Sequence, residues 1–128
     1  MKILKLKDKY YEYDIWLIVG DELLFKKYIQ KKYEVSVDGF EDVGTGGDAK
    51  TLTLEKNGML HVIVWIRSFD WKVFEMGLLV HELLHVVHAV LKNVGFKFSD
   101  DSEEAYTYYL QALTQEAFWK LRTIKRKK

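Results

Sequence analysis

Apolar and polar positions vary along the chain in patterns that predict both strands and helices. Residues 10–19 are β-branched and aromatic and end at Gly20-Asp21, which predicts a first strand followed by the start of a helix. From Asp21, the candidate N-cap, apolar residues recur on one side of a segment reaching about Tyr33, with lysines on the other side. The pattern predicts an amphipathic helix that covers one face of a sheet.

The dipeptide Asn57-Gly58 separates two β-prone runs, residues 51–55 and 59–67. Asn-Gly favours the two-residue turns whose twist matches that of paired strands, so this segment predicts a hairpin. The second run is almost continuously apolar, which is typical of a strand covered on both faces. We assign no functional role to His61 in this run, because a single histidine in a strand is more often structural.

Residues 38–49 contain four glycines and four acidic residues. This composition predicts a loop, and we interpret it as a mobile loop beside the cleft. The glycines lack the spacing of the common phosphate-binding motifs, and the carboxylates would repel phosphate. A phosphate-binding role is therefore not expected.

The longest apolar segment is residues 72–95, in which apolar side chains recur at steps of three and four. The periodicity predicts a long, mostly buried helix that ends at Gly95, with Ser68 or Asp70 as its N-cap. A second helix, residues 102–125, follows after a short loop. Two helices joined in this way are expected to pack antiparallel.

The long apolar helix carries His81-Glu82-Leu83-Leu84-His85. Residues four apart lie one turn above each other, so His81 and His85 can both direct a ring nitrogen at one metal ion. Glu82 lies about 100° round the helix, where it can hold a metal-bound water and accept its proton. The spacing predicts two zinc ligands and a general base. The alternative is a helix whose imidazoles are satisfied by hydrogen bonds to neighbouring side chains.

A catalytic zinc typically takes three protein ligands, so the predicted site needs one more side chain. The helical hairpin is expected to bring the start of the last helix alongside the middle of the long apolar helix, which makes its acidic residues candidates. Asp100 and Asp101 are expected in the loop or cap. Glu103 fits the buried stripe slightly better than Glu104, but helix phase alone does not decide between them.

The two motifs HELLH and SEEAYTYYLQAL together resemble the gluzincin branch of the zincin metallopeptidases, in which a glutamate on a second helix is the third ligand. They resemble more closely small phage- and prophage-encoded zincin-like proteins with a later E-A-Y segment. The resemblance covers residues 60–115 at most and, by aligning Glu104-Ala105-Tyr106 with that segment, implies that Glu104 is the ligand. Metzincins differ, because His88 and Leu91 stand where that class has glycine and histidine. His88 shares the face of His85 and is an alternative third ligand or a neighbour of the site.

Length and pattern predict one α+β domain over residues 1–128, in which a small β-α-β-β sheet precedes two long helices. The resemblance implies that this domain is zincin-like, with an active-site helix and a ligand-bearing helix. It implies a zinc metallopeptidase in which His81, His85 and Glu104 hold Zn²⁺ and Glu82 is the general base. An extended peptide or protein substrate would add a strand at the sheet edge beside the cleft. The alternative is a zincin-like phage or prophage structural or assembly component, with a virion partner, that keeps the metal without proteolysis.

Composition restricts the ligand types, partners and location that are expected for the chain. The absence of cysteine excludes disulfides and thiolate zinc ligands, and the net charge of +1 argues against a dominant nucleic-acid partner. The basic residues between positions 120 and 128 keep nucleic acid as a minor alternative. The first 30 residues do not resemble a signal peptide and no run approaches 18 apolar residues, so we expect a cytoplasmic protein without a membrane span.

Overall fold

A computed structural model describes residues 1–35 and 47–126, the last two of these by their backbone only. The described chain contains β1 (Lys2–Leu6), β2 (Asp14–Val19), α1 (Glu22–Tyr33), β3 (Ala49–Lys56), β4 (Met59–Ile66), α2 (Val73–Asn93) and α3 (Glu103–Arg126). The sheet order is β1-β2-β4-β3, with β2 and β4 parallel and the other two pairs antiparallel. The predicted α+β class is confirmed, whereas its zincin-like assignment stays a prediction.

The sheet has one strand more than the sequence pattern predicted, because β1 pairs antiparallel with β2. The predicted first strand was also too long, since residues 10–13 belong to the connection between β1 and β2. The Asp8 carboxylate accepts the N–H groups of Tyr10, Tyr11 and Tyr13. These donors are therefore used inside the connection and not in the sheet.

The predicted hairpin is confirmed. Lys56 pairs with Met59, and the intervening Asn57 and Gly58 have φ angles of 55° and 79°. Positive φ at both central positions is the geometry of a type I′ turn, which asparagine and glycine tolerate. β4 is an inner strand whose successive residues enter cores on opposite faces of the sheet, as its continuous apolar run predicted.

The sheet separates two apolar cores. On one face α2 and α3 pack against the sheet, and this larger core includes Leu83 and Tyr109. On the other face α1 covers the sheet, and Phe25 stacks on Trp65 with ring centroids 5.5 Å apart. α1 has its predicted N-cap, because the Asp21 carboxylate accepts two N–H groups of the first turn.

The N-terminus of α2 differs from the prediction. Its N-cap is Lys72, and neither Ser68 nor Asp70 takes that position. Glu75 in the first turn folds back instead, and its carboxylate accepts the N–H groups of Asp70 and Lys72 and the hydroxyl proton of Ser68. A carboxylate in the first turn also interacts favourably with the positive end of the helix dipole. A side chain in the first turn of the helix thus satisfies the N–H groups of the residues that precede it.

α2 is long and apolar enough to cross a membrane by length and composition alone. In this domain Leu79, Leu83, Val86 and Val90 are buried in the larger core, so α2 is its central helix. One such helix is weak support for a membrane span, because the core helix of a soluble domain has the same length and hydropathy. The cytoplasmic location stays a prediction.

The predicted glycine-rich loop lies largely outside the described residues. Of residues 38–49, only Gly47, Asp48 and Ala49 are described. The Arg67 guanidinium donates to the carbonyl oxygen of Gly47 and lies 3.6 Å from the Asp48 carboxylate. These contacts hold the entry to β3 against the end of β4.

Candidate metal centre

The two histidines of the HELLH motif lie side by side on the outer surface of α2. The ring centroids of His81 and His85 are 5.1 Å apart, and the ring planes are inclined by 73°. Both residues are exposed, and 65% of the His81 side chain is accessible. The pair predicted from the four-residue spacing is therefore present, with both rings open to an ion from solvent.

A cavity of about 620 Å³ lies between α2 and β3, and the histidine pair forms part of its wall. β3 is the last strand in the sheet order, so one of its edges has no partner strand among the described residues. The cavity therefore combines two imidazoles with a strand edge. Its lining consists of Asp48, Ala49, Lys50, Thr51, Thr53, Phe74, Leu78, His81, Glu82, His85 and Ala89.

The Glu82 carboxylate lies in the same wall but is almost fully buried, with the residue 7% exposed. Its Oε1 atom accepts a hydrogen bond of 2.6 Å from the Thr51 hydroxyl, and its Oε2 atom lies 4.0 Å from His81 Nε2. A buried carboxylate is costly unless it is hydrogen-bonded, and the Thr51 hydroxyl supplies that bond from the neighbouring strand. The predicted base therefore lies beside the histidine pair and is held from the β3 side.

The structure does not bring Glu104 to the histidine pair. Within residues 1–35 and 47–126, no three His, Asp or Glu side chains form a group that could hold one metal ion. The start of α3 lies further along α2 than His81 and His85, because Tyr106 of α3 packs against His88. The centroids of these two rings are 5.7 Å apart. Glu103 and Glu104 are both exposed, so the expected fit of Glu103 to the buried stripe is wrong. The assignment of Glu104 as a ligand stays a prediction.

His88 belongs to the contact between the two long helices. Its ring meets Tyr106, which also packs edge-on against Phe98 with centroids 4.9 Å apart. In the described part of the chain His88 joins no group of potential ligands large enough for a metal site. Its alternative role as a third ligand therefore gains no support from this arrangement.

The donor set fits zinc in chemical type and in spacing, but it is incomplete in number. Imidazole nitrogen is a common zinc ligand, and two imidazoles on adjacent helical turns are the pair that catalytic sites use. Such a site takes a third protein ligand, which the described residues do not add to His81 and His85 in this arrangement. The centre accounts for two of the three ligands.

A second cluster of polar side chains, which contains His61, lies on the opposite face of the sheet, beneath α1. His61 Nδ1 lies 2.8 Å from the Tyr33 hydroxyl, and His61 Nε2 lies 3.5 Å from the Asp14 carboxylate. Burial lowers the pKa of His61, although Asp14 opposes this effect. Burial also raises the pKa of Tyr33 to about 12, which keeps its hydroxyl neutral. This cluster could not be predicted from the sequence, because it depends on the parallel register that places Asp14 opposite His61.

Comparison with protein-family models, curated proteins and solved structures found no match for this chain. Its resemblance to zincins rests on the HELLH motif and the later acidic helix start.

Proposed function

We propose that the protein is a zinc-dependent metallopeptidase of the zincin type. The observation that supports this function is the juxtaposition of the exposed His81 and His85 rings, the Glu82 carboxylate and the edge of β3 around one cavity. When bound, zinc would polarise a substrate carbonyl and lower the pKa of a water molecule.

The residues of the cavity have distinct roles in this proposal. Glu82 accepts a proton from the attacking water and returns it to the leaving amine as general acid. The edge of β3 that has no partner strand among the described residues binds the peptide main chain as an added strand, which places a peptide bond beside the histidines. His81 and His85 hold the metal ion through their ring nitrogens.

The third ligand in this proposal is Glu104, as the sequence resemblance implies, with Glu103 as the alternative. Its engagement requires a movement of the Glu104 side chain or of the first turn of α3, because the described arrangement does not group it with the histidines. Both glutamates are exposed and lie in the first turn of α3, so neither is held by buried contacts.

Metal analysis tests the ligand set. We expect about one zinc ion per purified chain and a sharp loss of zinc in His85→Ala, because two ligands cannot retain the ion as three do. His88→Ala is the matched control on the same helix, and it should keep its zinc. Comparing Glu103→Ala with Glu104→Ala identifies the third ligand, since only the true ligand change weakens retention. Undiminished zinc in His85→Ala would refute the proposed centre.

Digestion of a broad peptide library tests the reaction. We expect wild type to cleave peptides and Glu82→Gln, at matched zinc content, to lose most turnover, because an amide cannot accept the proton of the water. The zinc content and thermal stability of Glu82→Gln should stay close to those of wild type, since the amide preserves the shape of the side chain. Equal cleavage by the two proteins would exclude Glu82 as the base.

The second candidate is a zincin-like phage or prophage assembly component that keeps the metal site without proteolysis. The incomplete ligand group among the described residues weighs equally on both candidates, because both keep the metal. The same digestion decides between the two candidates. Absence of cleavage by zinc-loaded wild type across diverse peptides would support the assembly component.

A further inference from the structure

Thr51 of β3 connects the two walls of the cavity. Its hydroxyl oxygen lies 2.6 Å from Glu82 Oε1 and 3.2 Å from the Glu82 carbonyl oxygen, both on α2. A hydroxyl has only one proton to donate, and the shorter contact to the carboxylate oxygen receives it. Thr51 is β-branched, so its own side chain has few rotamers available. The hydroxyl is therefore a stiff donor aimed at one oxygen of Glu82.

We infer that Thr51 is the positioning residue for Glu82. The Thr51 hydroxyl anchors Oε1 of Glu82 and leaves Oε2 as the oxygen that takes the proton. This inference rests on the proposed function. Among the described residues, the Thr51 hydroxyl is the one hydrogen-bond donor to the Glu82 carboxylate. The unanchored Oε2 atom is the one that lies 4.0 Å from His81 Nε2, on the side of the histidine pair.

The anchor also links the base to the strand that would receive the substrate. Thr51 lies on β3, whose outer edge in the described sheet would pair with the peptide, while Glu82 lies on α2. A peptide that adds to β3 is thus held by the same element that holds the base. General-base catalysis requires the base within hydrogen-bond reach of the water, so a free carboxylate would spend part of its time away from that position.

Substitutions at position 51 separate positioning from simple packing. Thr51→Val keeps the β-branched shape and removes the hydroxyl, whereas Thr51→Ser keeps the hydroxyl. We expect Thr51→Val to lower kcat by about ten- to hundredfold with KM within about twofold of wild type, because the base is misplaced while the cavity is intact. Thr51→Ser should restore kcat to within a few-fold of wild type. Equal losses in Val and Ser variants would overturn the inference.

Thr53 supplies a comparator on the same strand. It lines the same cavity, and no hydrogen bond joins it to Glu82 in the described structure. The loss of kcat in Thr53→Val measures the effect of altering the cavity wall. This loss is subtracted from the loss of kcat in Thr51→Val. If the Thr53 change lowers kcat as much as the Thr51 change, Thr51 does not act through Glu82. Should Thr51→Val fail to fold, Thr51→Ala removes the same hydroxyl without the added methyl group.

An activity-independent measurement distinguishes failure of this inference from failure of the proposed function. Side-chain ¹³C relaxation of selectively labelled glutamates reports the order of the Glu82 side chain in metal-free protein. We expect that order to fall in Thr51→Val and to be kept in Thr51→Ser. An unchanged order of the Glu82 side chain in Thr51→Val would overturn the anchoring role of Thr51, even if wild type cleaves peptides. If wild type cleaves nothing while the order depends on Thr51, the peptidase proposal fails and the anchor stands.

Discussion

The Asp8 carboxylate joins segments that are distant in sequence, and its removal should be strongly destabilising. Asp8 is 6% exposed, and its carboxylate accepts four hydrogen bonds. Three come from N–H groups in the connection between β1 and β2, at 3.0 to 3.2 Å, and the fourth comes from the Tyr109 hydroxyl at 2.8 Å. The carboxylate therefore fastens the β1–β2 connection to the N-terminal half of α3.

The expected magnitude follows from what Asp8→Ala leaves behind. Tyr109 is 1% exposed, so its hydroxyl would lose its partner without access to water. Burial, reinforced by the hydrogen bond to Asp8, raises the pKa of Tyr109, so this hydroxyl remains a neutral donor. An unsatisfied buried group costs about 1–3 kcal/mol, and the three partly buried N–H groups can recover some bonding to water. We expect a loss of about 3–5 kcal/mol in the free energy of unfolding, and a fall in Tm of about 10–20 °C.

Denaturant titration of wild type and Asp8→Ala measures this loss. Tyr109→Phe is the matched control, because it removes only one of the four bonds and should cost about 1 kcal/mol. A double-mutant cycle between the two positions isolates their coupling. A loss in Asp8→Ala no larger than that in Tyr109→Phe would contradict the prediction, since water would then replace the carboxylate at all four donors.

Two further predictions concern pH. Burial alone would raise the pKa of Glu75, but hydrogen bonds from Asp70 N–H and the Ser68 hydroxyl lower it. Its stabilisation is therefore complete above the unfolded-state pKa of about 4.3 and is lost as pH falls through the folded-state pKa. Glu75→Gln should flatten the acid limb of stability below about pH 5, and an unchanged limb in urea titrations would contradict this. Burial, opposed by Asp14, lowers the pKa of His61, so the stabilisation from neutral His61 is complete above about pH 6.5 and declines as pH falls. His61→Gln should remove that decline, and an equal slope in the same titrations would show that another group causes it.

Several elements could be predicted because their signals are local. The Asp21 cap and the amphipathic repeat defined α1, and Asn57-Gly58 defined the hairpin turn. The long apolar repeat predicted α2, which ends just before Gly95 with its φ of 102°. Each of these signals lies within a few residues of the structure it specifies, so propensity and hydrogen bonding act before any tertiary contact forms.

Other elements could not be predicted because their partners are distant in sequence. β1 alternates little in polarity and is a strand only because β2 pairs with it. Residues 10–13 have strong strand propensity, yet Asp8 and the packing of Tyr11 on Tyr109 draw them into the β1–β2 connection. The N-cap of α2 was missed because Glu75 satisfies the preceding N–H groups from inside the helix. Propensity is a weak guide wherever such tertiary contacts compete with it.

The His81 and His85 pair follows from the sequence alone, since a helix places residues four apart on one face whatever surrounds it. The surroundings of that pair depend on tertiary packing. Packing of α2 against the sheet turned Glu82 inward to Thr51, and packing of α3 brought Tyr106 to His88 and left Glu104 exposed. The rotation and offset of one helix against its neighbours are set by many small apolar contacts together, and no single residue encodes them.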